Sequence, residues 1–407
     1  MVVIRVRTPF GMFRSSFDST VKLVEVIRKV QEDLLKKNQE VDGPALFVVP
    51  KKSDSSPLPA NKTVGELNFT DGQMLEMVGG YQSTIVEIPD SEKSIFDLPA
   101  IPYEIPRCAL HGPDQSCVRC MTAKYIRVDR KEKADCVGVE ADKKSVAVFK
   151  YNMEKNLGYS VQRLGILYGK KTEEGWLQVD FIYEPPQENS ATDILLLRNE
   201  TEQINADTIA NSFGLTKIGC IIGQTAEDCE DEEFILTAQQ ILMSAEIKGE
   251  AEDFIILFSG IRDGTPFVEG FELTDQFYDL YKRRYFLPPK DDFFLQVKEP
   301  LWIEAKEEME AEVEFFIAPV PLKEYRNDFR CEFPVENRQV KQSPEFLRTL
   351  IAQQPGARLV DLINDFHLLI FLGSFLGETD LAALCSEIQH GELAEGHELI
   401  IRNIAEA

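Results

Sequence analysis

Histidine is scarce in this chain. Its 407 residues hold four, at positions 111, 367, 390 and 397, and none between 112 and 366. That gap excludes a His-pair zinc centre from the middle of the sequence, because a catalytic zinc needs three protein ligands and an open position. Basic charge is also short. Lys and Arg number 44 against 69 Asp and Glu, a net charge of −25. Nucleic acids and anionic membranes are held by basic patches, so both are disfavoured as partners, and basic protein surfaces are favoured. Long apolar runs are missing too. The best, Leu368 to Leu376, is far shorter than the roughly 20 residues of a spanning helix. The opening Met1-Val-Val-Ile-Arg-Val-Arg is interrupted by charge and precedes no cleavage pattern, so it does not read as a signal peptide. Eight cysteines, three of them within thirteen residues, do not form a disulfide framework. These absences place the chain in the cytosol or nucleus.

What is present begins with alternation. Val2, Ile4 and Val6 share one strand face, Pro9 to Gly11 turns the chain, and Met12 to Phe17 returns. Asp18, Ser19 and Thr20 are capping types, and Leu23, Val26, Ile27, Val30 and Leu34 then follow helical spacing. A strand at Ala45 to Val49, a short helical turn at Lys62 to Leu67 and a strand at Met74 to Val78 complete the unit. This β-β-α-β-turn-β order resembles the ubiquitin grasp, which implies a docking module over 1–79; a generic small α+β domain is the plainer alternative. Met1 to Lys37 carries more basic than acidic side chains, which suits either an acidic partner or an ordinary solvated face. Residues 80–107, with Pro89, Pro99, Pro102 and Pro106, read as an extended linker.

Cysteines then cluster. Cys108, His111, Cys117 and Cys120 stand in the spacing C-x2-H-x5-C-x2-C, with Gly112 and Pro113 to bend the loop. Thiolate and imidazole at such spacing suit a tetrahedral structural zinc, giving a knuckle over 108–133. Cys108 is the weakest of the four assignments, and Cys136 is its substitute.

A third unit is expected over 134–290. Asp142 caps a helix carrying Val146, Phe149 and Met153, and strands follow at Leu164 to Tyr168 and Leu177 to Tyr183. A helix over Asn205 to Phe213 stops at Gly214, and Leu215 to Gln224 runs apolar like a buried strand. Helix, Gly-Leu and a strand with a central glycine resemble the MPN domain of the isopeptidase metalloenzymes. In active members, that resemblance implies, the strand ends in His-x-His, a later Asp completes the zinc site and an upstream Glu activates the bound water. The two His places fall near Ile222 and Gln224, the Asp place at Gln239 or Gln240, and the Glu place near Gln162. Neutral amides and an isoleucine cannot hold a catalytic cation, so no catalytic residue is expected. The acidic stretch Glu227 to Glu233 reads as a solvated loop. Cys220 and Cys229 lack a nearby His, Lys or Arg to activate them, although His367 could approach in space.

Residues 291–407 are expected to be a mainly helical C-terminal domain. Lys306 to Glu314 fits helix or strand, Ser343-Pro344 opens a helix, Leu359 to Leu372 reads as one buried helix, and Asp380 to Ile388 and Leu393 to Ile404 close the chain. His367 reads as a packed core histidine rather than a ligand.

Six stretches in order then carry a wider resemblance. They are His111-Gly-Pro-Asp-Gln-Ser-Cys-Val-Arg-Cys120, Gly165-Ile-Leu-Tyr-Gly169, Ile182-Tyr-Glu-Pro-Pro-Gln187, Gly214-Leu-Thr-Lys-Ile-Gly219, Phe333-Pro-Val-Glu-Asn-Arg338 and Asp361 to Phe371. The chain resembles the nuclear protein localization protein 4 homologues, the NPL4 family. The resemblance implies a multidomain α+β adaptor of the hexameric AAA unfoldase called valosin-containing protein. Its ubiquitin-like domain would dock on the ATPase, its structural zinc element would rest on the ring, and its inactive MPN and C-terminal domains would hold polyubiquitin. A ubiquitin-fusion-degradation adaptor would bind the same assembly. The implied pathway is proteasomal degradation in cytoplasm and nucleus, including proteins drawn from the endoplasmic reticulum, where the chain would be recruited peripherally. Two features of longer relatives are missing: a second zinc element before the MPN domain, and a C-terminal Cys-x-x-Cys finger, since only Cys331 and Cys385 follow residue 300. A scaffold subunit that pairs through its MPN domain, and a deubiquitinating metalloprotease, are the competing readings.

Overall fold

The computed structural model describes residues 2–8, 11–36, 45–48, 58, 62–67, 69, 73–79, 94–103, 117, 126–197, 199–226 and 236–406. They fall into two units, Met1–Ser94 and Ile95–Ala407.

In the first unit, β1 (Val2–Thr8) and β2 (Gly11–Phe17) form a hairpin, followed by α1 (Leu23–Lys36), β3 (Ala45–Val48) and β4 (Gln73–Gly79). The sheet order is β2-β1-β4-β3, with β1 and β4 parallel and the other pairs antiparallel. Alternation decides the inner face: Ile4 and Val6 are fully buried, whereas Arg5 is exposed. Leu23, Val26, Ile27 and Val30 of α1 close on them with Phe17, Val64 and Leu75. Thr63 and Glu66 cap one another, each backbone N–H donating to the other's side chain, and hold Lys62 to Leu67 as a turn rather than a helix.

The second unit is built on one eight-stranded sheet. A short β5 (Ile126–Val128) precedes it, and β6 (Val139–Asp142) starts three residues after Cys136. Asp142 accepts the Ser145 N–H and caps α2 (Lys143–Tyr151), whose end widens into a π turn over Asn152–Asn156. The central strands are β7 (Arg163–Lys171) and β8 (Leu177–Tyr183), followed by a small hairpin, β9 (Gln187–Asn189) and β10 (Ile194–Leu196). Next come α3 (Glu200–Ser212), β11 (Thr216–Gly223), α4 (Ala238–Lys248), β12 (Ile255–Arg262), β13 (Thr265–Leu273) and α5 (Asp275–Lys282).

The uninterrupted apolar run in β11 has a plain cause. The sheet is covered on both faces, so residues of either parity are buried. Ile218 and Ile221 join one core with Phe149, Met153, Ile255 and Leu257. Cys220 and Ile222 join the other with Tyr168, Ile256 and Phe258. Gly169 sits where the β7–β8 register shifts, and a Cβ there would lie 1.9 Å from the Gln178 carbonyl oxygen, so only glycine fits.

The C-terminal part departs from a mainly helical domain starting at residue 291. It opens with strands: β14 (Phe294–Ile303), β15 (Lys306–Glu312), β16 (Ile317–Val320) and β17 (Leu322–Tyr325). The main sheet is ordered β16-β13-β12-β11-β7-β8-β6-β17, so β16 and β17 are its edge strands and the fold has no break at 290. Lys306 to Glu312 is therefore strand, and its charged side chains suit one exposed face. Helices follow: α6 (Pro344–Gln353), α7 (Leu359–Leu362), α8 (Phe366–Gly373), α9 (Glu378–His390) and α10 (Glu395–Glu406). The single helix expected over Leu359 to Leu372 is thus two. Asp365 breaks it, turning extended to accept the His367 and Leu368 N–H groups and to start α8 afresh. Every residue of α8 is buried, with Phe366 stacked on Phe181 at 4.3 Å between ring centres.

Of the expected 80–107 linker, the described residues 95–103 lie against the second unit. Lys298 Nζ donates to the Leu98 carbonyl at 2.7 Å, and Ile101 N–H donates to that of Arg283 at 2.8 Å. Residues 80–93 and 104–107 of that stretch, and the acidic loop 227–235, lie outside the described residues.

Candidate functional site: an amide pocket beside a charged seam

Helix α3 ends at Phe213, and Gly214 takes a left-handed φ of +71°, turning the chain into β11. The strand delivers Ile222 and Gln224 to its far end. Ile222 is fully buried within the larger core. Gln224 is fully buried as well; its N–H donates to the Ser259 carbonyl at 2.8 Å, its Oε1 accepts the Thr225 N–H at 3.2 Å, and its Nε2 meets no acceptor among the described residues.

Helix α4 begins with a capping box in which Thr237 and Gln240 each accept the other's backbone N–H. That box fixes which glutamine faces inward. Gln240 is buried, and its Nε2 donates to Gln162 Oε1 at 3.3 Å, while Gln239 is exposed and bonds Asp193. Gln162, also buried, donates through Nε2 to the Ala191 carbonyl at 3.2 Å. Gln162 and Gln240 are therefore in direct contact, joined amide to amide. Neither carries charge, and Ile222 offers no lone pair.

Of the four expected zinc ligands, Cys108, His111 and Cys120 lie outside the described residues, and Cys117 is half-buried. Among the described residues no cluster of three His, Cys, Asp or Glu side chains could hold a metal. Cys136, the substitute ligand, donates its thiol to the Gly138 carbonyl, and burial raises its pKa. Burial pushes Cys220 up to about 12, and its sulfur contacts Ser244 Oγ rather than His367.

One residue beyond Gln162 the character changes. Arg163 Nε donates to Glu184 Oε2 at 2.8 Å, and Arg338 reaches the same carboxylate through both Nε and Nη2. Glu184 is 1% exposed. Burial alone would raise its pKa, but Arg338 and Arg163 outweigh that and hold it below the usual carboxylate range. Asn337, at φ +55°, turns its carbonyl to Arg163 Nη2 at 2.9 Å and donates its side-chain amide to the Glu184 carbonyl. Glu336 accepts the Glu184 N–H at 2.9 Å and holds His367 Nδ1 at 2.8 Å. Burial disfavours the charged ring, but Glu336 and Cys331 raise the His367 pKa well above its ordinary value. His367 is a core histidine, as expected, but a paired one.

This seam borders a groove of about 520 Å³ between the π turn, β7 and residues 332–346. Its walls mix amides, among them Asn152, Asn156, Gln187 and Asn189, with apolar Leu157, Val161, Pro334 and Val335, and Tyr151 and Phe346 are exposed at 60% and 41%. Sequence reasoning assigned no role to Arg163, Glu184, Glu336 or Arg338. Three of them lay in quoted stretches, Ile182 to Gln187 and Phe333 to Arg338, whose recurrence together was the available signal.

Comparison with known proteins bears on the same residues. A model described as the NPL4 family matches residues 163–251. NPL4-like protein 2 of Arabidopsis thaliana is 30% identical, the alignment covering 85% of this chain and 83% of that protein. The chain belongs to the NPL4 family. NPL4-like protein 1 of the same plant is 28% identical across 100% of this chain and 99% of its own. The Homo sapiens nuclear protein localization protein 4 homolog is 22% identical over 65% of this chain and 52% of its own length. The family model begins at Arg163 and runs through α3, β11 and α4, so it spans the strand that ends in the amide pocket. Among the described residues of this NPL4-family chain, no helix is long and apolar enough to cross a membrane.

Proposed function

We propose that the chain is a non-enzymatic, ubiquitin-binding substrate adaptor. With a ubiquitin-fusion-degradation partner it recruits polyubiquitinated proteins to the hexameric AAA unfoldase of the valosin-containing protein type. The products pass to proteasomal degradation, including proteins exported from the endoplasmic reticulum. The observation that carries this reading is the pair Gln240–Gln162, at 3.3 Å, where an MPN metalloprotease would have its ligand and its base. A pocket of neutral amides supplies neither the charge to hold a catalytic cation nor a group to take a proton from water.

In this reading the first unit, a parallel β1–β4 pair with α1 packed across it, is a ubiquitin-like domain that docks on the ATPase. The donor set Cys108, His111, Cys117 and Cys120 suits a closed tetrahedral zinc, which would be structural and leave no coordination position for chemistry. The groove's amides offer donors and acceptors to the backbone of an extended polypeptide, and its apolar residues take side chains. The test is a reconstituted assay with Lys-linked ubiquitin chains, the ATPase and the second adaptor. Chains should be bound and left uncleaved, and unfolding of a ubiquitinated substrate should require this chain. Chelator-sensitive trimming of ubiquitin chains would overturn the reading.

A further inference from the structure

Away from the seam, the main sheet buries two carboxylates side by side. Strands β6 and β8 run parallel and in register as far as Ala141 and Val179, and Asp142 and Asp180 are the next residue of each. Asp180 also sits where the β7–β8 register shifts. Tyr168 pairs with Phe181 and Gly169 with Val179, which leaves Asp180 as the extra residue of a bulge. Such a residue has its side chain re-aimed. Asp142 is 1% exposed and Asp180 6%. Their supply of donors is unequal. Asp142 Oδ2 accepts the Ser145 N–H at 2.9 Å and the Ser145 hydroxyl at 3.1 Å, and its Oδ1 accepts the Asn327 N–H at 3.0 Å. Asp180 Oδ1 accepts the Tyr325 hydroxyl, and its Oδ2 has no partner among the described residues. Ser145 and Asn327 bridge the two acids, since Ser145 Oγ and Asn327 Nδ2 also donate to the Asp180 carbonyl, at 3.2 Å and 2.8 Å.

The elements around Asp180 do little to balance it. Burial is the largest influence and raises its pKa, and Asp142 on β6 adds to that; Tyr325 on β17, Lys170 on β7 and Asn327 act in the opposite sense without prevailing. Lys144 of α2 gives its ammonium to the Asn327 and Phe329 carbonyls, and Lys143 pairs with Glu324. We propose that Asp142, Asp180 and Tyr325 form a proton-operated latch on the end of β17. With a proton on Asp180 the pair carries one charge, and Tyr325 and Asn327 stay docked. Without it, two neighbouring carboxylates share a buried site in which one oxygen has no donor, and the end of β17 parts from the sheet to admit water. The proton belongs to Asp180 because three donors address the Asp142 carboxylate and one addresses its own. As an edge strand, β17 has β6 as its strand neighbour and can open without parting any other pair. From Asn327 the chain runs on to Glu332 and the wall of the groove, so the latch sets how firmly that wall is anchored. The Asp180 pKa is higher folded than unfolded, so its contribution to stability is complete below the unfolded carboxylate range of about 4 and is lost as pH rises through the folded value.

The experiment is hydrogen–deuterium exchange of the full chain, read by peptide mass spectrometry over residues 322–330 and corrected for the intrinsic rate. It runs from about pH 5.5 to about pH 8.5, above the unfolded carboxylate range. Protection of this segment should fall several-fold as pH rises. Asp180→Asn is neutral throughout and should hold protection constant. Asp142→Asn keeps the α2 cap through its amide oxygen, removes the like charge and should move the transition to lower pH. Tyr325→Phe removes the hydroxyl donor and should move it to higher pH. Protection that stays flat in the unsubstituted chain refutes the latch, and that reading needs no variant to fold. A fall in Asp180→Asn as large as in the unsubstituted chain refutes it too, as does a transition that neither Asp142→Asn nor Tyr325→Phe displaces.

Discussion

Gln162 and Arg163 are neighbours in sequence, yet their side chains enter opposite surroundings. Gln162 meets another glutamine, Gln240, in a pocket without charge. Arg163 meets Glu184 in a seam that gathers Arg338, Glu336 and His367. Arg163 opens β7 and Gln162 stands just before it, and successive residues of extended chain point to opposite sides. The contrast separates two kinds of use. In the pocket, two buried neutral amides bond one another. In the seam, costly buried ions tie β7 and β8 to a segment some 150 residues later in the chain. Charge here joins parts of the second unit that lie far apart in sequence.

The comparison breaks most readily at Glu184. Glu184→Ala leaves Arg163 and Arg338 buried without a counter-ion, which should cost about 3–5 kcal/mol of stability. Denaturant unfolding of the full chain measures it. A loss below about 1 kcal/mol, the range of exposed ion pairs, would mean that the seam is solvated and the contrast false.

Asp365→Ala should come next. Its carboxylate receives four backbone N–H groups, from Glu332 and Phe333 on one side and His367 and Leu368 on the other. Losing the cap and leaving buried donors unpaired should cost about 2 kcal/mol. Thermal unfolding monitored by circular dichroism checks it, and Asp365→Asn should recover part of the loss because the amide oxygen still accepts.

The two ions of the seam also predict opposite pH limbs. The His367 pKa is raised by Glu336 and Cys331 against the effect of burial, so its contribution is complete below the unfolded pKa of about 6.5 and fades as pH rises through the higher folded value. The Glu184 pKa is lowered, so its contribution is complete above the unfolded carboxylate range and fades as pH falls through the lower folded value. His367→Gln should therefore flatten the decline of stability above about pH 6.5, whereas Glu184→Gln should flatten the acid limb. Melting temperatures across both ranges read each limb separately, and matching effects of the two variants on one limb would contradict the assignment.

Legibility in the sequence followed the range of the interaction. Alternation at Val2 to Val6, the helix stop at Gly214 and the cap at Asp142 are local, and each appears where its residues point. The absence of acid and His at Gln162, Ile222 and Gln224 was legible because composition alone reveals it. Long-range pairings were not. Nothing local tells that Ile317 to Tyr325 pairs with strands at Gly270 and Val139, or that Arg338 shares a carboxylate with Arg163. The apolar run Leu359 to Leu372 hid Asp365 because its helical spacing continues on either side of the cap. Gln239 and Gln240 were indistinguishable until the Thr237 capping box set the phase of α4.

The smallest expected effect tests the pocket. Gln162→Leu removes the acceptor of Gln240 Nε2 and leaves that donor buried and unpaired, which should cost about 1–3 kcal/mol. Adding Gln240→Leu removes the stranded donor as well, although it also takes the side-chain half of the α4 capping box, worth about 1 kcal/mol by itself. The double variant should then be no less stable than the sum of the singles, and the coupling between them should be about 1 kcal/mol in favour of the pair. Neither substitution should alter the rate at which a ubiquitinated substrate is unfolded in the reconstituted assay. A pocket that only preserves shape tolerates apolar replacement, whereas one that still handles a polar ligand would lose activity with the first leucine, and by more than the stability change explains.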